Sequence, residues 1–186
     1  MHFHRLLVLA AGLLTTATSA PTELFKRDAA GVVDAVAEIA DKMTTLNTTV
    51  TGYQGGVLGT GTALKIEFQS IQLSHALKDA ISTTEDSQNF TGDESNKVAA
   101  AFIDLQPKIS STLNNIVSKK PQFDTGLLGI GSVSFLVKWN LQQEKDLSAD
   151  LGQAVVAKLA EPYASVAPLL NDQIAAAFEK ALAAYN

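Results

Sequence analysis

The stretch that most constrains what this chain can fold into is Thr62 to Thr83. On a helical wheel Leu64, Phe68 and Ile71 share one face, and Ile66, Leu73, Leu77 and Ile81 share roughly the opposite one. A helix that is apolar on opposite sides has to be covered on both. The expectation is a central helix in an all-α bundle. Its neighbours either close tightly on it or leave an apolar cavity beside it.

The flanking segments supply those neighbours. Residues 28 to 53 carry Val32, Val36, Ile39, Met43, Leu46, Val50 and Tyr53 at four-three spacing, a narrow apolar seam. Gly52, Gly55, Gly56, Gly59 and Gly61 then read as a flexible connection into the central helix. After a polar loop from Asp86 to Phe90, Thr91 and Glu94 have the spacing of a capping box. A third helix follows with Val98, Phe102, Leu105, Ile109, Leu113 and Ile116 on one side, and Pro107 inside it is expected to bend it. Lys119 and Lys120 suit a helix C-terminus, and Pro121 is expected to stop it. Gln122 to Gly131 reads as a second flexible connection. A long helical pattern then runs from Ser132 to Ala160, with an optional break near Asp146 to Gly152. Pro162 opens the last helix, whose expected buried side is Tyr163, Val166, Leu170, Ile174, Phe178, Leu182 and Tyr185. The sum is an antiparallel bundle of about five helices, with or without an internal apolar cavity.

The N-terminus reads as a secretory signal. Arg5 precedes an apolar run from Leu6 to Leu14, which is too short to span a membrane, and small residues lead to a cut at Ala20 or Ala17. Lys26-Arg27 is a dibasic site at which a short pro-segment, residues 21–27, would be trimmed. The expected mature domain is residues 28–186. Losing residues 1–27 removes Arg5, Lys26, Arg27 and Glu23, which leaves 11 basic against 18 acidic side chains, a net charge of −7, and no arginine. Such a domain is poorly suited to phosphate or nucleic acid, which call for positive charge and favour the guanidinium fork. With no cysteine in the chain, a secreted domain has to rest on its core alone.

Candidates for chemistry are few. The expected mature domain has one histidine, His75, with Asp79 one turn on and Ser82 seven residues on. A linear ladder on a helix offers no oxyanion hole, and the chain has no nucleophile elbow, so a helix-surface His–Asp pair outweighs a hydrolase. Gly59-Thr60-Gly61 lacks the remaining residues of a dinucleotide or phosphate loop. Glu144, Asp146 and Asp150 lack calcium-loop spacing and a partner histidine, so they read as a solvated face rather than a metal site. Asn47-Thr48-Thr49 and Asn89-Phe90-Thr91 are glycosylation sequons, and Asn89, in a loop, is the better placed. Ser70 and Ser74 lie beside Leu77 and Ile81. Their hydroxyls can meet a lipid carboxylate or, more simply, bond back to their own helix.

A family resemblance adds to this. The signal leads into Asp28-Ala29-Ala30-Gly31-Val32-Val33-Asp34, then Tyr53-Gln54-Gly55-Gly56. Later come Leu105-Gln106-Pro107-Lys108-Ile109 and Lys119-Lys120-Pro121-Gln122-Phe123, before an aliphatic pair of helices. Over residues 28 to 186 this pattern resembles the hydrophobic surface binding protein A family, which includes galactomannoproteins of fungal cell walls. The resemblance implies a secreted all-α domain without enzymatic activity or cofactor, associated with the cell wall. It also implies adsorption to hydrophobic surfaces, recruitment of a secreted cutinase-like esterase, and fatty acid held in a bundle cavity.

Two readings follow, and they are compatible. One is a binder of fatty acid or other long-chain lipid. The other is a surface-active protein that brings an esterase to its substrate without holding a lipid. A hydrolase built on His75 is the weakest third. The expected apolar binding surface is Leu64, Phe68, Ser70, Ile71, Leu73, Ser74, Leu77 and Ile81 of the central helix, with Phe102 and Leu105 of the third.

Overall fold

Asp28 sets the start of the first helix. Its carboxylate accepts a 3.0 Å hydrogen bond from the Gly31 amide, satisfying one of the orphan donors of helix α1, Ala29–Thr51. The computed structural model describes residues 28–126 and 131–186. The expected cleavage points at Ala20 and Arg27, and the signal and pro-segment with them, lie outside those residues. The other helices are α2 (Gly56–Glu85), α3 (Gly92–Ser118), α4 (Lys120–Asp124), α5 (Ser134–Val156) and α6 (Tyr163–Ala184).

The α1 seam is buried as its spacing predicts. Val32, Val36, Ile39, Met43, Leu46, Val50 and Tyr53 are all at most 3% exposed, each aliphatic worth about 1.5–3 kcal/mol of burial. The Thr91–Glu94 capping box forms in full and starts α3. Helix α3 runs unbroken past Pro107, and α5 runs unbroken through residues 146–152.

The five long helices close into a ring. Helix α1 packs on α2 and α3, α2 on α5, α5 on α6, and α6 on α3. Helices joined by short links run antiparallel. Across the ring some neighbours run parallel: Met43 and Asn47 of α1 meet Thr112 and Asn115 of α3 in the same order. Glu67 and Ser70 of α2 likewise meet Asn140 and Glu144 of α5. Aromatic residues plug one end. The Tyr53 and Phe123 rings lie 4.7 Å apart, Tyr185 abuts Phe123, and its hydroxyl donates to the Ile116 carbonyl at 2.7 Å.

Several expectations are corrected. The glycine link is short, because α2 already starts at Gly56 and takes in Gly59 and Gly61. Gly55 makes the turn at φ +72°, where a Cβ would lie 2.7 Å from the Gln122 carbonyl oxygen. Pro121 does not end a helix. It sits in the first turn of α4, where its missing N–H costs nothing, so an ordered turn replaces part of the second expected connection.

The largest correction concerns α2. It is not central, and its two apolar faces are not both covered. Ile66, Leu73 and Leu77 are buried and Ile81 is half-buried. Leu64, Phe68 and Ile71 are 69%, 60% and 43% exposed. The reason is the ring: α2 has two lateral neighbours, so about half its circumference faces outward. The face it does bury is built partly of small and polar residues, Ser70, Ser74, Ala76, Ala80 and Thr84, which let α1 and α5 approach closely. Helix α6 departs in a related way. Ile174 is its first buried residue, and Val166, expected inside, is 62% exposed, so its N-terminal half is seated only shallowly, with Leu170 half-buried against the core.

Candidate functional site

Where the first half of α6 stands off α5, a cleft of about 480 Å³ opens. Its polar residues are Lys145, Asp146, Ser148, Gln153, Asn171 and Asp172, and its apolar ones include Ala149, Val156, Ala175, Ile174 and Phe178. That volume falls in the ordinary range for small-ligand sites. Ser148, Asn171, Ile174 and Phe178 also line a narrow space of about 20 Å³ on the axis of the ring. All five long helices contribute to this inner space: Met43 from α1, Leu73 and Leu77 from α2, Phe102 and Leu105 from α3, Glu144 from α5 and Phe178 from α6. It has room for about one water-sized sphere, so the axis is closed but has no polar plug except Glu144, Ser148 and Asn171.

Glu144 joins this space to the next. It also lines a second gap of about 20 Å³, walled by Leu46, Ile66, Ser70, Ile116 and Leu141. Beyond it, sharing Ile66, Phe123, Val137 and Asn140, lies a hollow of about 120 Å³ between α2 and α5. Glu144 is 3% exposed. Burial pushes its carboxyl up to about 7, the nearby charge of Glu67 acts the same way, and a hydrogen bond from Ser70 opposes both. The Ser70 hydroxyl donates to Glu144 Oε1 at 2.9 Å. Asn140, one turn before Glu144, donates to Glu67 Oε2 at 2.7 Å.

The residues expected at the site divide sharply. Leu73, Leu77, Phe102 and Leu105 come together at the axis, and Ser70 reaches the same region through Glu144. Ser74 is buried on that face of α2, and Ile81 packs against the core half-buried. Leu64 is exposed at the edge of the 120 Å³ hollow, while Phe68 and Ile71 face solvent. His75, Asp79 and Ser82 are exposed on α2, away from the cleft. Asn89 is exposed in its loop, whereas the Asn47 side chain is tied to Ser111 and Asn115.

Glu144 is buried rather than part of the expected solvated acidic face, whereas Asp146 and Asp150 do face solvent. The signal was present. Glu144 falls three residues after Leu141 and seven before Leu151, on the apolar stripe of α5. A carboxyl at a core-facing position is informative in a way that its acidic sequence neighbours are not. Asn171 and Ser148 carry no comparable signal.

Among the described residues no three metal-ligating side chains gather, and no helix is long and apolar enough to cross a membrane.

Comparison with known proteins adds three findings. The family model described as hydrophobic surface binding protein A matches residues 29–157. A cell wall mannoprotein 1 of Aspergillus flavus is 25% identical over 179 residues. The match covers 96% of this chain, and the chain spans 61% of that relative's length. Among solved structures, AFMP4P in complex with palmitic acid superposes with a TM-score of 0.79 at 24% identity, covering 86% of this chain and all of that one. Ligand binding domain 1 of the Penicillium marneffei MP1 protein, complexed with arachidonic acids, superposes at 0.74 with 19% identity, covering 90% and 99%. At these identities the superpositions establish a shared helical fold.

Proposed function

The chain belongs to the hydrophobic surface binding protein A family, and from that premise we propose that it is a secreted, wall-associated, non-enzymatic binder of long-chain fatty acid. The ligand occupies the cleft between α5 and α6 and extends to the axis lined by Leu73, Leu77, Phe102 and Leu105. One observation carries this reading: a cleft of about 480 Å³ shares four lining residues with a mostly apolar axis to which all five long helices contribute. The shallow seating of the first half of α6 supports it, since Ile174 is the first fully buried residue of that helix. The palmitic and arachidonic acids held by proteins of this fold agree with it.

Native mass spectrometry of material secreted by a fungal host tests the proposal. A fatty-acid adduct of one or more molecules per chain is expected, together with displacement of a fluorescent fatty acid in solution. Absence of both overturns it.

A second activity is favoured by a separate observation. Leu64, Phe68 and Ile71 of α2, and Phe135 and Trp139 of its neighbour α5, are large apolar side chains left in solvent. Exposed apolar surface of this kind marks interaction sites. It supports adsorption to hydrophobic solids, on which a cutinase-like esterase could then be concentrated. Depletion from solution onto polyester beads is the expected result, and retention in solution excludes this activity without touching the first. Asn89 is the sequon best placed to carry a glycan on such a protein.

A further inference from the structure

We propose that Glu144 is the group that reads the ligand's headgroup, so that the bundle selects lipids with a free carboxyl over their esters. The inference rests on the fatty-acid reading above and sets the ligand's direction: carboxyl inward at Glu144, acyl chain back past Ile174 and Phe178 into the cleft.

The geometry carries it. Among the described residues Glu144 is the only ionisable side chain lining the axial space, and it lines the adjoining gap as well. Ser148, one turn along the same helix, lies on the path from the cleft. Ser70 occupies Oε1. The Ser70 bond is to Oε1 and leaves Oε2 outside it. An uncharged carboxyl there has an O–H to donate. A fatty-acid carboxylate at the axis is a stronger acceptor for it than a neutral group, because a hydrogen bond to an ionised acceptor is about twice as strong as a neutral one. Two carboxyls at such range share one proton rather than both ionising. An ester offers only a neutral carbonyl.

The surroundings keep this group responsive to pH. From α2, Glu67 is the charged residue that acts on it, and its effect favours the protonated form. From α6, Asp172 stands at the cleft, and Glu179 pairs with Lys145 at 3.1 Å. Around the two inner spaces α1, α3 and α4 present apolar side chains to Glu144. With burial holding the carboxyl up to about 7, Glu144 donates below that pH. Above it the group ionises and repels a carboxylate, so affinity falls about tenfold per pH unit.

Isothermal titration calorimetry of the full chain with laurate and with methyl laurate, at about pH 6 and about pH 9, tests this. Laurate affinity is expected to fall by at least about tenfold across that range while methyl laurate affinity holds, and Glu144→Gln is expected to bind laurate with a flat profile. A circular dichroism melt of the variant confirms that it is folded. An unchanged laurate profile in folded Glu144→Gln overturns the inference. So does an equal fall for laurate and methyl laurate in the wild-type chain, which does not depend on the variant. If both ligands bind with no pH dependence, only the role of Glu144 fails. If neither binds at any pH, the fatty-acid reading fails with it.

Discussion

A Cβ built on Gly152 of α5 would lie 2.6 Å from Asn171 Oδ1 of α6. The two helices therefore come into contact at the mouth of the cleft only because residue 152 has no side chain. Gly152→Val is expected to push Asn171 aside and destabilise the fold by about 1–3 kcal/mol, as overpacking does. In the Asn171→Gly background the same change should cost markedly less, since the two groups compete for one space. Urea denaturation of the four proteins in this cycle measures the coupling.

Phe102 and Phe68 should behave as opposites. Phe102 is 8% exposed on the ring axis and Phe68 is 60% exposed on the outside. Phe102→Ala is expected to cost about 3–5 kcal/mol. Phe68→Ala should change stability by about 0.5 kcal/mol or less and instead weaken adsorption to polyester beads. Thermal melts and bead depletion, run on both variants, check the contrast.

Stability should fall as pH rises from about 4.5 to about 7. In the unfolded chain Glu144 ionises at its ordinary value of 4.5, while in the folded chain burial holds the proton until about 7. Folding therefore requires proton uptake across that window. The penalty grows through it and is constant above, reaching on the order of 3 kcal/mol. Glu144→Gln removes this component, so its melting temperature should exceed that of the wild-type chain at pH 8 by more than at pH 5. Differential scanning calorimetry at the two pH values shows whether the difference changes sign or size.

Trp139 reports on the two proposed activities separately. It is the single tryptophan, 58% exposed on α5, and it does not line the cleft or the axis. Its emission should be that of a hydrated indole in solution. It should shift to the blue on adsorption to a hydrophobic solid and stay unchanged when a fatty acid enters the cleft. Steady-state fluorescence with beads and with dissolved laurate distinguishes the two events.

How much of this was legible follows from what each residue needed to meet. The helices, the α1 seam, the cap at Thr91 and the burial of Leu73 and Leu77 on one helix and of Phe102 and Leu105 on another depend on spacing along one chain, and spacing is a property of sequence. Which face of α2 is wet is different. Leu64 and Leu73 are equally apolar, and only the closure of five helices into a ring assigns one to solvent and the other to the axis. Hydrophobicity drives burial without naming a partner. Glu144 makes the same point from the polar side, since its protonation is set by burial and by Ser70 and Glu67 of a helix distant in sequence. The cleft exists because the first half of α6 is seated only shallowly, an outcome of packing among helices that no local pattern encodes.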